Sequence, residues 1–139
     1  MINQTLKRQH YDIRRALQEL QEDVYDIEEV LKNQLTIALR IGNLSGILLM
    51  HLKYEDEYLY PELLKHASSE VKALAESNMQ EMGTLAKVFE EYQDKYLRKP
   101  GSIMKETASF IEDTNRILYT ISKRVESEEH ELFPLLHQQ

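Results

Sequence analysis

Leu6, His10, Ile13, Leu17, Leu20, Val24, Ile27 and Leu31 recur at alternating spacings of four and three. On a helix of 3.6 residues per turn, that spacing draws one continuous stripe along one face, and such a stripe has to be buried against other helices. Three further segments carry the same period. The second runs from about Gln34 to Ala67, with Leu44, Leu48, His51, Glu55, Tyr58 and Leu59 facing inward. Gly42 and Gly46 interrupt it and read as a kink or a close helix contact. The third follows the cap candidates Ser68 and Ser69, and its stripe is Val71, Ala75, Met79, Met82, Leu85 or Ala86, Phe89 and Tyr92. Pro100-Gly101 is the clearest turn signal. Ser102 then caps a fourth helix striped by Ile103, Phe110, Ile111, Ile117, Leu118, Ile121, Val125 and Leu132. Short connections between long helices imply antiparallel neighbours. The expected fold is therefore all-α, a four-helix bundle running up-down-up-down, with residues 1–139 forming one domain.

Composition narrows the function. Only 4 glycines and 3 prolines interrupt a chain rich in Leu, Glu, Lys and Gln, which lose little side-chain freedom on a helix. There is no cysteine, so disulfides, thiolate metal sites and cysteine nucleophiles are excluded. The net charge is −7 and the basic residues are interleaved with acidic ones, which argues against nucleic acid as a partner. No apolar run approaches the ~18 residues of a membrane span and the start, MINQTLKRQH, lacks a signal-peptide core. A cytoplasmic protein without a membrane partner is the expectation. No Ser-His-Asp arrangement or phosphate-cradling glycine loop recommends an enzyme.

Five polar residues sit where apolar ones belong: His10, His51, Glu55, Arg124 and Glu128. Charged groups are rarely buried without a partner. His51 and Glu55 are four apart, as are Arg124 and Glu128, so each pair shares a helix face. Counting residues from each turn brings all five, together with Met79, to about the same level of the bundle. Histidine and carboxylate converging in one layer is the donor set of a metal site, although a lone core histidine is more often simply hydrogen-bonded. His66, His130 and His137 fall off the inner stripes, and Tyr54, Tyr58 and Tyr60 read as packing residues.

The chain also repeats itself. The stretch from Glu55 through Leu59 and Pro61 to Leu63 lies over the stretch from Glu128 through Leu132 and Pro134 to Leu136 at one constant offset. Tyr60 and Phe133 match as aromatics. Less closely, His10, Ile13 and Ala16 lie opposite Met79, Met82 and Leu85.

These motifs resemble the hemerythrin-like, or HHE cation-binding, domains over nearly the whole chain. That family pattern has His on helix one, His-x-x-x-Glu on helix two, His on helix three and His-x-x-x-Glu on helix four. His10 fits the first position, His51 with Glu55 the second, and Glu128 the end of the fourth. Met79 stands where the helix-three His belongs and Arg124 where the helix-four His belongs. The resemblance implies two irons bridged by the two carboxylates. Carried over, His10 and His51 serve one iron, Glu55 and Glu128 are the bridges, and both missing histidines belong to the other iron.

One hypothesis for the replacement is that Arg124 takes the electrostatic place of the second metal, pairing with Glu128, Glu55 or both. Met79 would fill the remaining volume, and Arg124→Leu would cost several kcal/mol. The alternative is that Arg124 reaches out to solvent. Two functions stay open. One is a protein binding a single metal (iron, with zinc or manganese as alternatives) through His10, His51, Glu55 and Glu128, which senses or stores metal or oxygen. Its partners would be the metal ion and dioxygen or another small diatomic ligand. The other is a metal-free module that acts through a protein partner or a second copy. A ferritin-like oxidase is excluded, because no histidine has Glu three residues before it.

Overall fold

The computed structural model describes residues 2–66, 68–99 and 101–138, and the side chains of His137 and Gln138 fall outside it. Ala67 and Pro100, both placed at helix ends by the sequence, lie outside the described residues. The fold is all-α, with no strand among the described residues. Helix α1 covers Ile2–Asp23, α2 Ile27–Lys32 and α3 Gln34–Tyr54. A π-helical turn over Glu55–Leu59 leads into α4, Tyr60–Leu64. Helix α5 covers Ser69–Tyr96, α6 Ser102–Lys105 and α7 Thr107–Ser127. A second π-helical turn, Glu128–Leu132, and a 3-10 turn, Phe133–Gln138, follow. Helix α1 packs along α3, α5 along α7, and α1 and α7 also touch.

The first stripe is broken where the sequence reads it as continuous. Ile27 and Leu31 are exposed, and Val30 is buried instead. The chain leaves α1 at Asp23 and starts again at Asp26, whose carboxylate accepts the Glu29 N–H at 2.8 Å and caps α2. A strong N-cap resets the helical phase, so the stripe jumps by three residues from Ile27 to Val30.

The duplicated tails explain a second shift. In each, the wide turn begins at the glutamate: Tyr60 N–H donates to the Glu55 carbonyl and Phe133 N–H to the Glu128 carbonyl, five residues back. Pro61 and Pro134 follow immediately. A proline ring clashes with the carbonyl four residues before it, and opening the turn by one residue relieves the clash. The extra residue rotates the inner face, so Tyr58, expected to face inward, is exposed, while Tyr60 is buried and its hydroxyl also hydrogen-bonds.

The remaining differences are local. On α5 the buried sequence is Val71, Ala75, Asn78, Met82, Leu85, Phe89 and Tyr92, and Met79 is exposed. A spacing of three-then-four across that turn is as helical as four-then-three, and Asn78 takes the inner place through its hydrogen bonds. Ser68 does cap α5, accepting the Val71 N–H at 3.4 Å. Ser102 is not a cap. Gly101, at φ +78 in the left-handed region that glycine tolerates, precedes α6, and the helix breaks again at Glu106. Gly42 and Gly46 do not break the helix, as expected, but neither makes a close contact. Helix α3 runs through both, and a Cβ at either would meet nothing within 4 Å.

The stretch from Gln34 to Leu64 also departs from the expectation of no membrane-length apolar run. An 18-residue window in it has mean hydropathy 1.5, enough by length and composition to cross a membrane. Thr, Gly, Ser and Asn break up its apolar residues without lowering the mean much, which is why no single run stands out in the sequence. Its inner face packs on α1, while Leu35, Leu39, Leu49 and Met50 point outward and are exposed.

Two apolar clusters form the core. Ile13, Leu48, Met82 and Val125 belong to the larger, and Leu6, Leu59, Ala75 and Leu132 to the smaller. On each long helix the change of cluster falls at a buried polar residue: His10, then His51 with Glu55, then Asn78, then Glu128. One polar layer therefore divides the core.

Candidate metal centre

A nitrogen or oxygen from each of His10, His51, Glu55 and Glu128 lies within 4.8 Å of the other three, and all four residues are buried. The four stripe residues that the sequence singled out as ligands do meet. His10 Nε2 and His51 Nε2 are 3.2 Å apart, and both reach Glu128 Oε1, at 2.8 Å and 3.1 Å. His51 Nε2 lies 3.3 Å from Glu55 Oε2.

The far side of each imidazole is tied down. His10 Nδ1–H donates to Glu129 Oε2 at 2.9 Å, and His51 Nδ1–H donates to Gln9 Oε1 at 2.7 Å. Arg14 grips both oxygens of Glu129 at 2.6 Å. A hydrogen bond from one ring nitrogen fixes the tautomer and turns the other nitrogen's lone pair inward, as metal-ligating histidines require. Gln9, Glu129 and Arg14 carry no stripe signal. Gln9 and Glu129 are chain neighbours of ligand candidates and Arg14 is one turn from His10, so adjacency is the only hint the sequence offers.

The carboxylates divide their oxygens. Glu128 turns Oε1 to the histidines, while Oε2 accepts from Asn78 Nδ2 at 3.0 Å. Glu55 turns Oε2 toward His51, and Oε1 accepts from the Tyr60 hydroxyl at 3.4 Å. Asn78 Nδ2 also donates to that hydroxyl, at 2.7 Å. The side of the layer away from the histidines is therefore filled by Asn78 and Tyr60.

Charge is balanced by protons. Burial pushes the Glu55 carboxyl well above its usual range, and the hydrogen bond and charge of Glu128 push it further. Burial would also raise Glu128, but hydrogen bonds from Glu55, His10 and His51 outweigh it and hold this carboxylate well below its usual range. Burial disfavours the His51 imidazolium, yet its bonds to Glu128 and Glu55 prevail and raise its pKa to about 9. These shifts favour Glu128 as the anion, Glu55 as the protonated acid and His51 as the cation. Two like-charged carboxylates sharing a buried site settle in this way.

The family model described as the hemerythrin HHE cation-binding domain matches residues 1–136. The chain belongs to that family. No curated protein and no solved structure matches it. The hemerythrin-type domain and its buried His/Glu group together suggest metal binding.

Against the hemerythrin pattern, the two substituted positions behave differently from their reading in sequence. Met79 is 39% exposed and fills no volume in the site; Asn78 faces it instead. Arg124 touches neither Glu55 nor Glu128. It pairs with Glu81, donates to Asn78 Oδ1 at 2.8 Å and to Ser127 Oγ at 3.2 Å. Asn78, which bonds both Arg124 and Glu128, links the guanidinium to the layer. Arg124→Leu is therefore expected to cost about 1–2 kcal/mol, the price of one orphaned Asn78 carbonyl plus a partly exposed ion pair. Urea unfolding checks this, and a loss of several kcal/mol would restore direct pairing with the carboxylates.

Proposed function

We propose that this hemerythrin-family chain binds a single divalent transition metal through His10, His51, Glu55 and Glu128, and that it senses or stores metal or a small diatomic ligand such as dioxygen. The observation that carries this reading is the pair of imidazoles, each aiming Nε2 at the same carboxylate oxygen with Nδ1 held from behind. The residues also fit the group: Glu55 Oε2 is buried, makes no well-formed hydrogen bond, and faces the His51 Nε2 at 3.3 Å, so a cation between the two would engage both as ligands. Imidazole and carboxylate suit iron, zinc or manganese. Bound there as iron, the metal would supply one-electron and oxygen-reactive chemistry. Around it, Gln9 and Glu129 orient the imidazoles, and Asn78 and Tyr60 hold the outer carboxylate oxygens.

One ion rather than two follows from that last contact. In a two-metal site each carboxylate spends one oxygen on each ion, whereas here the second oxygens are committed to Asn78 and Tyr60. A single domain over residues 1–139, an up-down-up-down order of the long helices and a cytoplasmic setting belong to the same reading. The family match and the packing of α1 on α3 and α5 on α7 support the first two. A metal-free regulatory module that docks a protein partner is the second reading. It is favoured by the proton balance among Glu55, Glu128 and His51, which lets the layer persist without a cation.

Zinc titration of chelator-stripped protein separates the two. Saturable binding is expected in the wild type, with loss in His51→Ala and a roughly 10–100-fold weakening in Glu129→Ala, which frees the His10 ring without removing a ligand. Binding that is absent, or equal in all three, favours the metal-free module.

A further inference from the structure

Outside the His/Glu layer, α5 and α7 enclose an open groove of about 580 Å³. That volume is in the range of small-molecule sites. Leu85, Val88 and Ile117 line it as an apolar strip, with Arg116 and with the Glu81–Arg124 pair among its polar residues. The two arginines differ. Arg116 is largely exposed and already bridges two carboxylates, Glu112 and Asp113, each at 3.2 Å. Arg124 is only 21% exposed, has one carboxylate partner in the half-exposed Glu81, and keeps a buried Nε–H without an acceptor.

A guanidinium with a spare buried donor beside an apolar strip is the complement of an amphipathic carboxylate. The carboxylate would displace Glu81 and, with the guanidinium turned toward the groove, also reach the Nε–H, exchanging one ion pair for another that fills the orphaned donor. The apolar body would cover Val88, which is 44% exposed, and the strip beside it. We propose that this groove is a binding site for a monocarboxylate with an extended apolar chain, of the fatty-acid type, with Arg124 as its anchor. A dicarboxylate fits less well, because Arg116 already has two acidic partners of its own. The site does not rest on the metal reading. It is nevertheless one side chain from the metal layer, since Asn78 bonds both Arg124 and Glu128.

The test is an amide-resolved NMR titration of the full chain with octanoate, and with 1-octanol as the uncharged control. Octanoate is expected to give saturable shifts concentrated between residues 77–88 and 116–124, and 1-octanol to bind at least tenfold more weakly. Arg124→Gln should weaken octanoate about tenfold, and Glu81→Gln should tighten it by removing the internal competitor. Val88→Glu, at a half-exposed position that needs no refolding of the core, should abolish it and keeps the proposal testable if Arg124→Gln is unstable. Equal binding of octanoate and octanol would overturn the proposal. So would an unchanged affinity in Val88→Glu, or shifts centred on the exposed Leu35, Leu39 and Met50 face of α3.

Discussion

Glu128→Ala is expected to destabilise the metal-free protein by about 3–5 kcal/mol, the largest effect of any single substitution in the layer. Glu128 is the acceptor on which the cluster converges. His51 and Asn78 donate to its two oxygens, His10 Nε2 lies 2.8 Å from the same Oε1, and it is the anion that offsets the His51 cation. Removing it strands two buried donors, one of them carrying the positive charge, in a layer whose residues are buried. Glu55→Ala should cost less, because burial and the neighbouring Glu128 favour its neutral form and its Oε2 makes no well-formed hydrogen bond. Chemical denaturation of both variants with chelator present checks the ranking. A larger loss in Glu55→Ala would mean that the charge sits on the other carboxylate.

The second large effect is with pH. The His51 pKa is raised in the folded protein from its ordinary 6.5 to about 9, so its contribution to stability is complete below pH 6.5 and is lost as pH rises through 9. Glu55, also raised, acts in the same direction, since the unfolded chain gives up that proton earlier. Glu128, held low, loses its contribution only in acid. The chelated protein should therefore lose about 3 kcal/mol between pH 6 and pH 9, a fall of roughly 10 °C in Tm. A bound divalent ion would displace these protons, so the metal-loaded form should hold its Tm or gain over the same range. Calorimetry at pH 6, 7, 8 and 9, with chelator and with zinc, reads both curves. A flat profile in chelator would contradict the proton assignment.

How much of this is visible in the amino-acid order depends on the kind of signal. His10, His51, Glu55 and Glu128 stand out because a polar residue on an apolar stripe breaks a period, and they do meet in the core. The duplicated Glu-Leu-Pro-Leu tails mark a shared device, but not that the device is a widened turn, since a π turn changes which residue faces inward without changing composition. That is why Tyr58, on the inner stripe by period, is exposed. Asn78 is hidden because Met79 is the better apolar candidate by type. What turns Asn78 inward is its bonding to Glu128, Tyr60 and Arg124, from residues 50, 18 and 46 positions away. Arg124 shows the opposite failure: it lies one turn before Glu128 on the same helix, but its long side chain pairs with Glu81 and not with Glu128. Long-range hydrogen bonding of this kind has no local sequence period.

The most direct measurement is the number of metal ions per chain. Chelator-stripped protein, reconstituted anaerobically with excess ferrous iron, freed of unbound metal and assayed for iron and protein, is expected to hold one ion per chain, and none in His51→Ala. Two ions per chain would show that Asn78 and Tyr60 do not close the second position, and none in the wild type would show that the layer is a hydrogen-bonded network and not a metal site.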